Sequence, residues 1–228
     1  MIRLHLVVEG WTEQRFVKQV LAPHLASHGV AATARCVETS RDRYRIYRGG
    51  MISYTNIRND LRRWMKQEPG PDVRFSTMID LYRLPDGFAE FPVAKKIPDP
   101  RQQVMALETA FAADVSDPRF VPYIQLHEFE ALVLVDPQRL SAHFPNADKA
   151  TQRLSQLGQS VETPELIDDK HPPSKRIIEE LPEYEGRKAV VGPLIAAEIG
   201  IEALRVRCPH FAQWLGRLEA LGTAVGRS

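Results

Sequence analysis

The chain has 228 residues, a formal net charge of +1 and two cysteines, Cys36 and Cys208. That length supports one large domain, or one domain with a sizeable appendage, whose core needs no covalent staple. Two cysteines without a CxxC or His-Cys cluster point to a reducing compartment and argue against a structural zinc site. The apolar run in MIRLHLVVEG is too short for a signal-peptide core, and no later stretch approaches the ~20 apolar residues of a membrane span. A soluble, cytoplasmic protein without a membrane partner is the expectation.

In chain order, IRLHLVV (Ile2 to Val8) alternates before becoming wholly apolar, which predicts an interior strand. Residues 12–28 predict a helix: Phe16, Val17, Val20, Leu21 and Leu25 recur at three and four positions, with Thr12 as cap and Gly29 as stop. A second strand is expected over Val30 to Glu38, followed by a basic, aromatic loop, RDRYRIYRGG (Arg41 to Gly50). A helix over Tyr54 to Lys66 carries Ile57, Leu61, Trp64 and Met65 on one stripe, and EPGPD (Glu68 to Asp72) ends it. The third strand, Val73 to Ile79, runs into Asp80 and a Pro- and Gly-punctuated segment, residues 81–100, long enough for a lid.

A helix over Arg101 to Asp114 and a short strand within Arg119 to Pro137 complete the alternating part. The remainder predicts helices near residues 147–157, 173–181, 189–199 and 209–221. The fold class expected is therefore α/β, a mainly parallel sheet flanked by helices over residues 1–137, with a helical extension over 138–228 packed on it.

The acids carry the chemistry. Ligands of open α/β sheets sit at the carboxyl ends of strands, and Glu9 and Asp80 end two of the predicted strands. Such a pair suits Mg²⁺ or Mn²⁺, hard cations that take carboxylate oxygens, water and phosphate. Glu13 falls one helical turn beyond Glu9, either reaching back to the same point or serving as a helix-surface charge. In HEFE (His127 to Glu130), an extended chain would send Glu128 and Glu130 to one side, whereas a helical one would separate them. His127 reads first as a structural group. Arg41, Arg43, Arg45, Arg48 and Arg83, among tyrosines, suit phosphate neutralisation beside base stacking, or a solvated surface.

LVVEGWTE (Leu6 to Glu13), FSTMIDLY (Phe75 to Tyr82) and IQLHEFEAL (Ile124 to Leu132) resemble the Toprim domain, the metal-dependent fold of topoisomerases, primases and overcoming-lysogenization-defect (OLD) nucleases. The chain is similar throughout to a family of bacterial Toprim-like proteins often encoded beside AAA- or ABC-type ATPases, a likeness that also covers DLYRLPDGF, PELIDDKHPPSKRI and CPHFAQWL. The resemblance implies Glu9 as catalytic glutamate, Glu13 as a further acid, and Asp80 as first acid of an Asp-x-Asp motif whose second position is Tyr82, without a carboxylate. It implies Glu128 and Glu130 as the third acidic motif and Lys175 as the lysine that neutralises transition-state charge. Glu9, Asp80, Glu128 and Glu130 would then hold Mg²⁺ or Mn²⁺. The activity implied is cleavage of DNA or RNA, as effector of an ATPase-linked defence against phage; lacking a Walker A pattern, the chain would rely on a partner for ATP hydrolysis. The alternative is a catalytically reduced Toprim-like module that binds a partner ATPase or nucleic acid, with phosphoryl chemistry on a small molecule a third possibility.

Overall fold

A strand that is apolar on both faces needs a layer on each side, and Leu4, Leu6 and Val8 on one face of the first strand and Val7 on the other are all buried. The computed structural model describes residues 1–41, 46–48, 53–84, 87–167 and 170–223. β1 (Ile2–Val8) leads into a continuous helical rod made of α1 (Trp11–Phe16), a π-helical turn (Val17–Leu21) and α2 (Ala22–Ala26). The widened turn lies just before Pro23, which has no N–H to complete an ordinary α-helical ladder. Gly29, at φ +75°, ends the rod in the left-handed region that glycine enters freely.

β2 (Val30–Cys36) follows as expected. Two short strands meet at the basic stretch read as a loop: β3 (Glu38–Arg41) ends at its first residue and β4 (Ile46–Arg48) lies within it, paired antiparallel with a register shift between Glu38 and Ser40. Arginine obscured the strand preference of Ile46 and Tyr47 there. α3 (Tyr54–Gln67) starts at Ser53, whose hydroxyl accepts the Asn56 N–H at 3.1 Å, and β5 (Val73–Asp80) matches its predicted span. Within the expected lid lie a 3₁₀ turn (Leu81–Arg83) and α4 (Phe91–Ala94). α5 (Pro100–Val115), β6 (Phe120–Val121), β7 (Ile124–Gln125) and α6 (Glu130–Val133) come next. The helical remainder comprises α7 (Asp148–Ser160), α8 (Pro173–Glu180), α9 (Lys188–Ile199), α10 (Ile201–Arg207) and α11 (Pro209–Thr223). α10 was not expected; Gly200, at φ +85°, divides it from α9.

The fold is α/β. The main sheet has the order β2-β1-β5-β6, with β7 also paired to β5, and every pairing is parallel. Alternation sorts the side chains into two cores. Ile2, Leu4, Leu6 and Val8 pack with Phe16, Val17 and Leu21 and with residues of the last five helices, among them Leu154, Ile177, Ile195, Leu204 and Phe211. Val7, Val73, Phe75 and Ile79 pack against Ile57 and Leu61 of α3 and Val104, Leu107 and Phe111 of α5. The C-terminal helices thus form one wall of the sheet's own core, fastened at its centre by Trp214: the indole stacks on Tyr123 at 4.0 Å and donates from Nε1 to Ser76 Oγ at 2.9 Å. Among the described residues no helix is long and apolar enough to cross a membrane.

Candidate functional site

β1 has β2 on one side and β5 on the other. The helical rod that follows β1 packs on one face of the sheet, and α5, which follows β5, packs on the other. The chain therefore leaves the carboxyl ends of β1 and β5 toward opposite faces and opens a crevice there. Glu9 and Asp80 stand at those two ends, and parallel pairing joins them: the Glu9 N–H donates to the Met78 carbonyl at 3.1 Å, and Glu9 Oε2 accepts the Asp80 N–H at 3.2 Å.

Three further acids converge on the crevice. Glu13, in the first turn of α1, folds back so that its Oε2 accepts the Gly10 N–H at 2.8 Å. The HEFE segment adopts neither of its two regular possibilities. It bends at His127, whose φ of +58° is uncommon for a residue with a side chain, and turns helical at Glu130. Glu128 is held from the C-terminal wall, its Oε2 accepting the Ser174 N–H of α8 at 2.9 Å. Glu130 Oε1 accepts a long hydrogen bond, 3.4 Å, from the Tyr184 hydroxyl. All five acids are at most 9% exposed.

Buried like charges in proximity retain protons. Burial and then the charge of Glu9 raise the Glu13 carboxyl to about 8. Burial raises Glu130 to about 7, against the pull of Lys188 and with a push from Glu128. Asp80 is held well above the carboxylate range by burial and by the charges of Glu9, Glu13, Glu130 and Glu128. Its Oδ1 is a buried oxygen without a hydrogen-bond partner among the described residues. A wholly carboxylate set with an unsatisfied buried oxygen has the donor chemistry of a hard divalent cation. Among the described residues, the three ligand-type side chains whose donor atoms all lie within 4.8 Å of one another are His24, His28 and Glu219; no three of these acids meet that spacing. Mg²⁺, which keeps several waters, suits wider spacing.

Glu9, Glu13, Asp80, Glu128 and Glu130 are thus brought together. Lys175 is exposed on α8, next to the Ser174 N–H that holds Glu128. The ammonium that bears on Glu130 is Lys188, at the start of α9, which sequence reasoning missed. Arg41 and Arg48 lie on the β3–β4 hairpin and Arg83 in the 3₁₀ turn, while Arg43 and Arg45 fall outside the described residues.

Two exposed aromatic residues follow the strand-end acids in the chain. Trp11 and Tyr82, each two positions beyond a strand-end acid, are 59% and 47% exposed. Trp11 also escaped the sequence reading, although a tryptophan two residues after a strand-end acid is its visible signal. Beside the acids opens a cleft of about 710 Å³ lined by Leu81, Tyr82, Phe91, Lys95, His127 and Leu166, among others. The Tyr82 N–H donates to the His127 carbonyl at 3.0 Å, tying the cleft to the bend that carries Glu128.

No curated protein and no solved structure matches the chain. Residues 8–219, a span that includes all five acids and both walls of the sheet, match the family model described as Domain of unknown function (DUF4276), and the chain belongs to that family.

Proposed function

We propose that the chain is a Mg²⁺- or Mn²⁺-dependent nuclease of Toprim type. The observation that carries this reading is Asp80, a buried acid with one oxygen lacking a hydrogen bond among the described residues and with the charges of four other acids bearing on it. Burying like charges without partners costs several kcal/mol, and a hard cation is the counter-charge that such a donor set selects. Glu9, Asp80 and Glu130 would hold it, with Glu128 available to a second ion. When bound, it would offset the charge of a phosphodiester and its leaving oxygen.

The other roles belong to the chain. In the cation-free cluster, burial and the charge of Glu9 hold the Glu13 carboxyl above the usual carboxylate range; with Oε2 engaged by Gly10, its second oxygen would be the one to exchange a proton with water or a leaving group. Lys188, and Lys175 on the neighbouring helix, would supply positive charge. Trp11 and Tyr82 would stack unpaired bases, with Lys95 and the arginines at Arg41, Arg48 and Arg83 meeting phosphates. A cytoplasmic setting, an ATPase partner and a role in phage defence rest on the Toprim and OLD resemblance of Leu6 to Glu13, Phe75 to Tyr82 and Ile124 to Leu132.

The test is cleavage of plasmid, linear and single-stranded substrates, DNA and RNA, with Mg²⁺ or Mn²⁺, alone and with the neighbouring ATPase. Activity lost in Glu9→Gln and Asp80→Asn is the expected result; no cleavage with any divalent ion sinks the proposal. One observation favours a second reading: Tyr82 occupies the position where a second acid would strengthen the cation site. Retained ATPase or nucleic-acid binding, with no Mn²⁺ between Glu9, Asp80 and Glu130 in soaked crystals, would assign the chain to a non-cleaving Toprim-like module.

A further inference from the structure

Away from the acids, the rod that opens the chain meets its last helix. His24 lies in α2 and His28 in the turn that follows, where the N–H groups of Ser27, His28 and Gly29 bond to carbonyls three residues back. A spacing of four puts both imidazoles on one helical face, with ring centroids 5.0 Å apart. α11 passes so close that a Cβ on Gly222 would fall 1.7 Å from the His28 carbonyl oxygen, so only glycine permits this approach. Glu219, one turn earlier on α11, is thereby brought to the imidazoles: its Oε1 is 2.6 Å from His24 Nε2 and 3.8 Å from His28 Nε2.

We propose that His24, His28 and Glu219 bind a divalent transition metal of the zinc class, joining the first helical rod to α11. One donor atom from each of the three side chains lies within 4.8 Å of the other two, and two imidazoles with one carboxylate form a set that such metals favour over Mg²⁺. A His24–Glu219 hydrogen bond alone would account for one imidazole. It leaves unexplained why His28, at 3.8 Å and beyond hydrogen-bond reach, also turns its Nε2 to the same oxygen. Arg205 donates from Nη1 to Glu219 Oε2 at 3.2 Å and from Nη2 to Oε1, the kind of outer contact that orients a ligating carboxylate. Its Nε also lies 3.6 Å from Glu202, an alternative partner when a cation takes Oε1. Side-chain exposures of 19% for His24, 37% for His28 and 15% for Glu219 leave a route for the ion and for water as the remaining ligand. The scarcity of cysteine argued against a structural zinc site, but this one uses no cysteine. Its ligands are separated by 195 residues between His24 and Glu219, so no local spacing announces it.

The full chain, stripped with a chelator, is titrated with Zn²⁺ by calorimetry in excess Mg²⁺, and with Co²⁺ by visible absorption. The expected result is one tightly held Zn²⁺ that Mg²⁺ does not displace, a Co²⁺ band typical of nitrogen ligation, and a rise in Tm of roughly 5–10 °C at saturation. His28→Gln and Glu219→Gln should each weaken Zn²⁺ binding at least about tenfold, whereas Asp80→Asn should leave it intact. Zn²⁺ affinity unchanged in both His28→Gln and Glu219→Gln, or lost in Asp80→Asn, would overturn the proposal; since His28 is the most exposed of the three, its variant keeps the test independent of folding.

Discussion

Glu165 and Asp80 are both buried acids, and they stand on opposite terms with their surroundings. Glu165, fully buried, accepts the His210 and Phe211 N–H groups of the first turn of α11 at 2.9 and 3.0 Å. Nearby Glu108 accepts the Ile124 N–H at 2.8 Å and lies 3.1 Å from His210 Nε2. These acids close a helix end and tie α5, β7 and α11 together. Asp80 instead has four other acids bearing on it and keeps an oxygen unbonded among the described residues. A buried acid whose two oxygens are both taken by backbone N–H groups braces the fold, whereas one that keeps an oxygen unbonded among like charges marks a candidate site.

The largest effect should come from the satisfied region. Glu165→Ala strips two buried N–H groups of their acceptor and should cost about 3–5 kcal/mol in urea unfolding, while the rise in Tm with Mg²⁺ or Mn²⁺ survives. A loss below 1 kcal/mol would erase the contrast.

Next is pH. Glu13 and Glu130, raised to about 8 and about 7 in the folded chain, release their protons near 4.5 when unfolded. Between those values the native state binds more protons, so this contribution is complete below about pH 4.5 and is lost as pH rises through 7 to 8. In metal-free buffer, stability should fall by several kcal/mol from pH 5 to pH 8.5, at about 1.4 kcal/mol per pH unit for each group still protonated in the folded chain. Glu13→Gln, which keeps an oxygen for the Gly10 N–H, should flatten the profile; a slope unchanged in that variant would remove Glu13 from the cluster.

Asp80→Asn should act with the sign opposite to Glu165→Ala. Relief of repulsion should stabilise metal-free protein by about 1–2 kcal/mol, and the Tm rise with Mn²⁺ should vanish. A destabilised variant that still responds to Mn²⁺ would place Asp80 with the structural acids.

The smallest stability change belongs to Trp11→Ala and Tyr82→Ala, within about 0.5 kcal/mol because both side chains are largely exposed. Each should nevertheless weaken single-stranded oligonucleotide binding roughly tenfold, read by fluorescence anisotropy in EDTA. Equal affinity for wild type and both variants would remove both aromatic residues from nucleic-acid binding.

Much of the scaffold was legible in the chain. An alternating and then apolar run marked β1, short runs between helical patterns and turns marked β2 and β5, and apolar stripes ended by Gly29 and by EPGPD marked the rod and α3, because these signals act over a few residues. The strand-end positions of Glu9 and Asp80 followed from the same pattern. The β3–β4 hairpin was hidden by its arginines and α10 by its brevity. HEFE could not be resolved, since a bend through a positive φ at His127 leaves no periodicity to read.

By itself, then, the sequence determined an α/β alternation, two strand-end acids and a helical C-terminal third. Tertiary structure alone decided that Glu13, Glu128 and Glu130 join those acids, that Lys188 bears on Glu130, and that His24 and His28 meet Glu219. It also decided that Glu165 is spent on helix α11 while Asp80 is not. The physical reason is range: propensity and periodicity act between neighbours in the chain, whereas burial, like-charge repulsion and the pairing of polar groups depend on which distant segments the parallel sheet brings side by side.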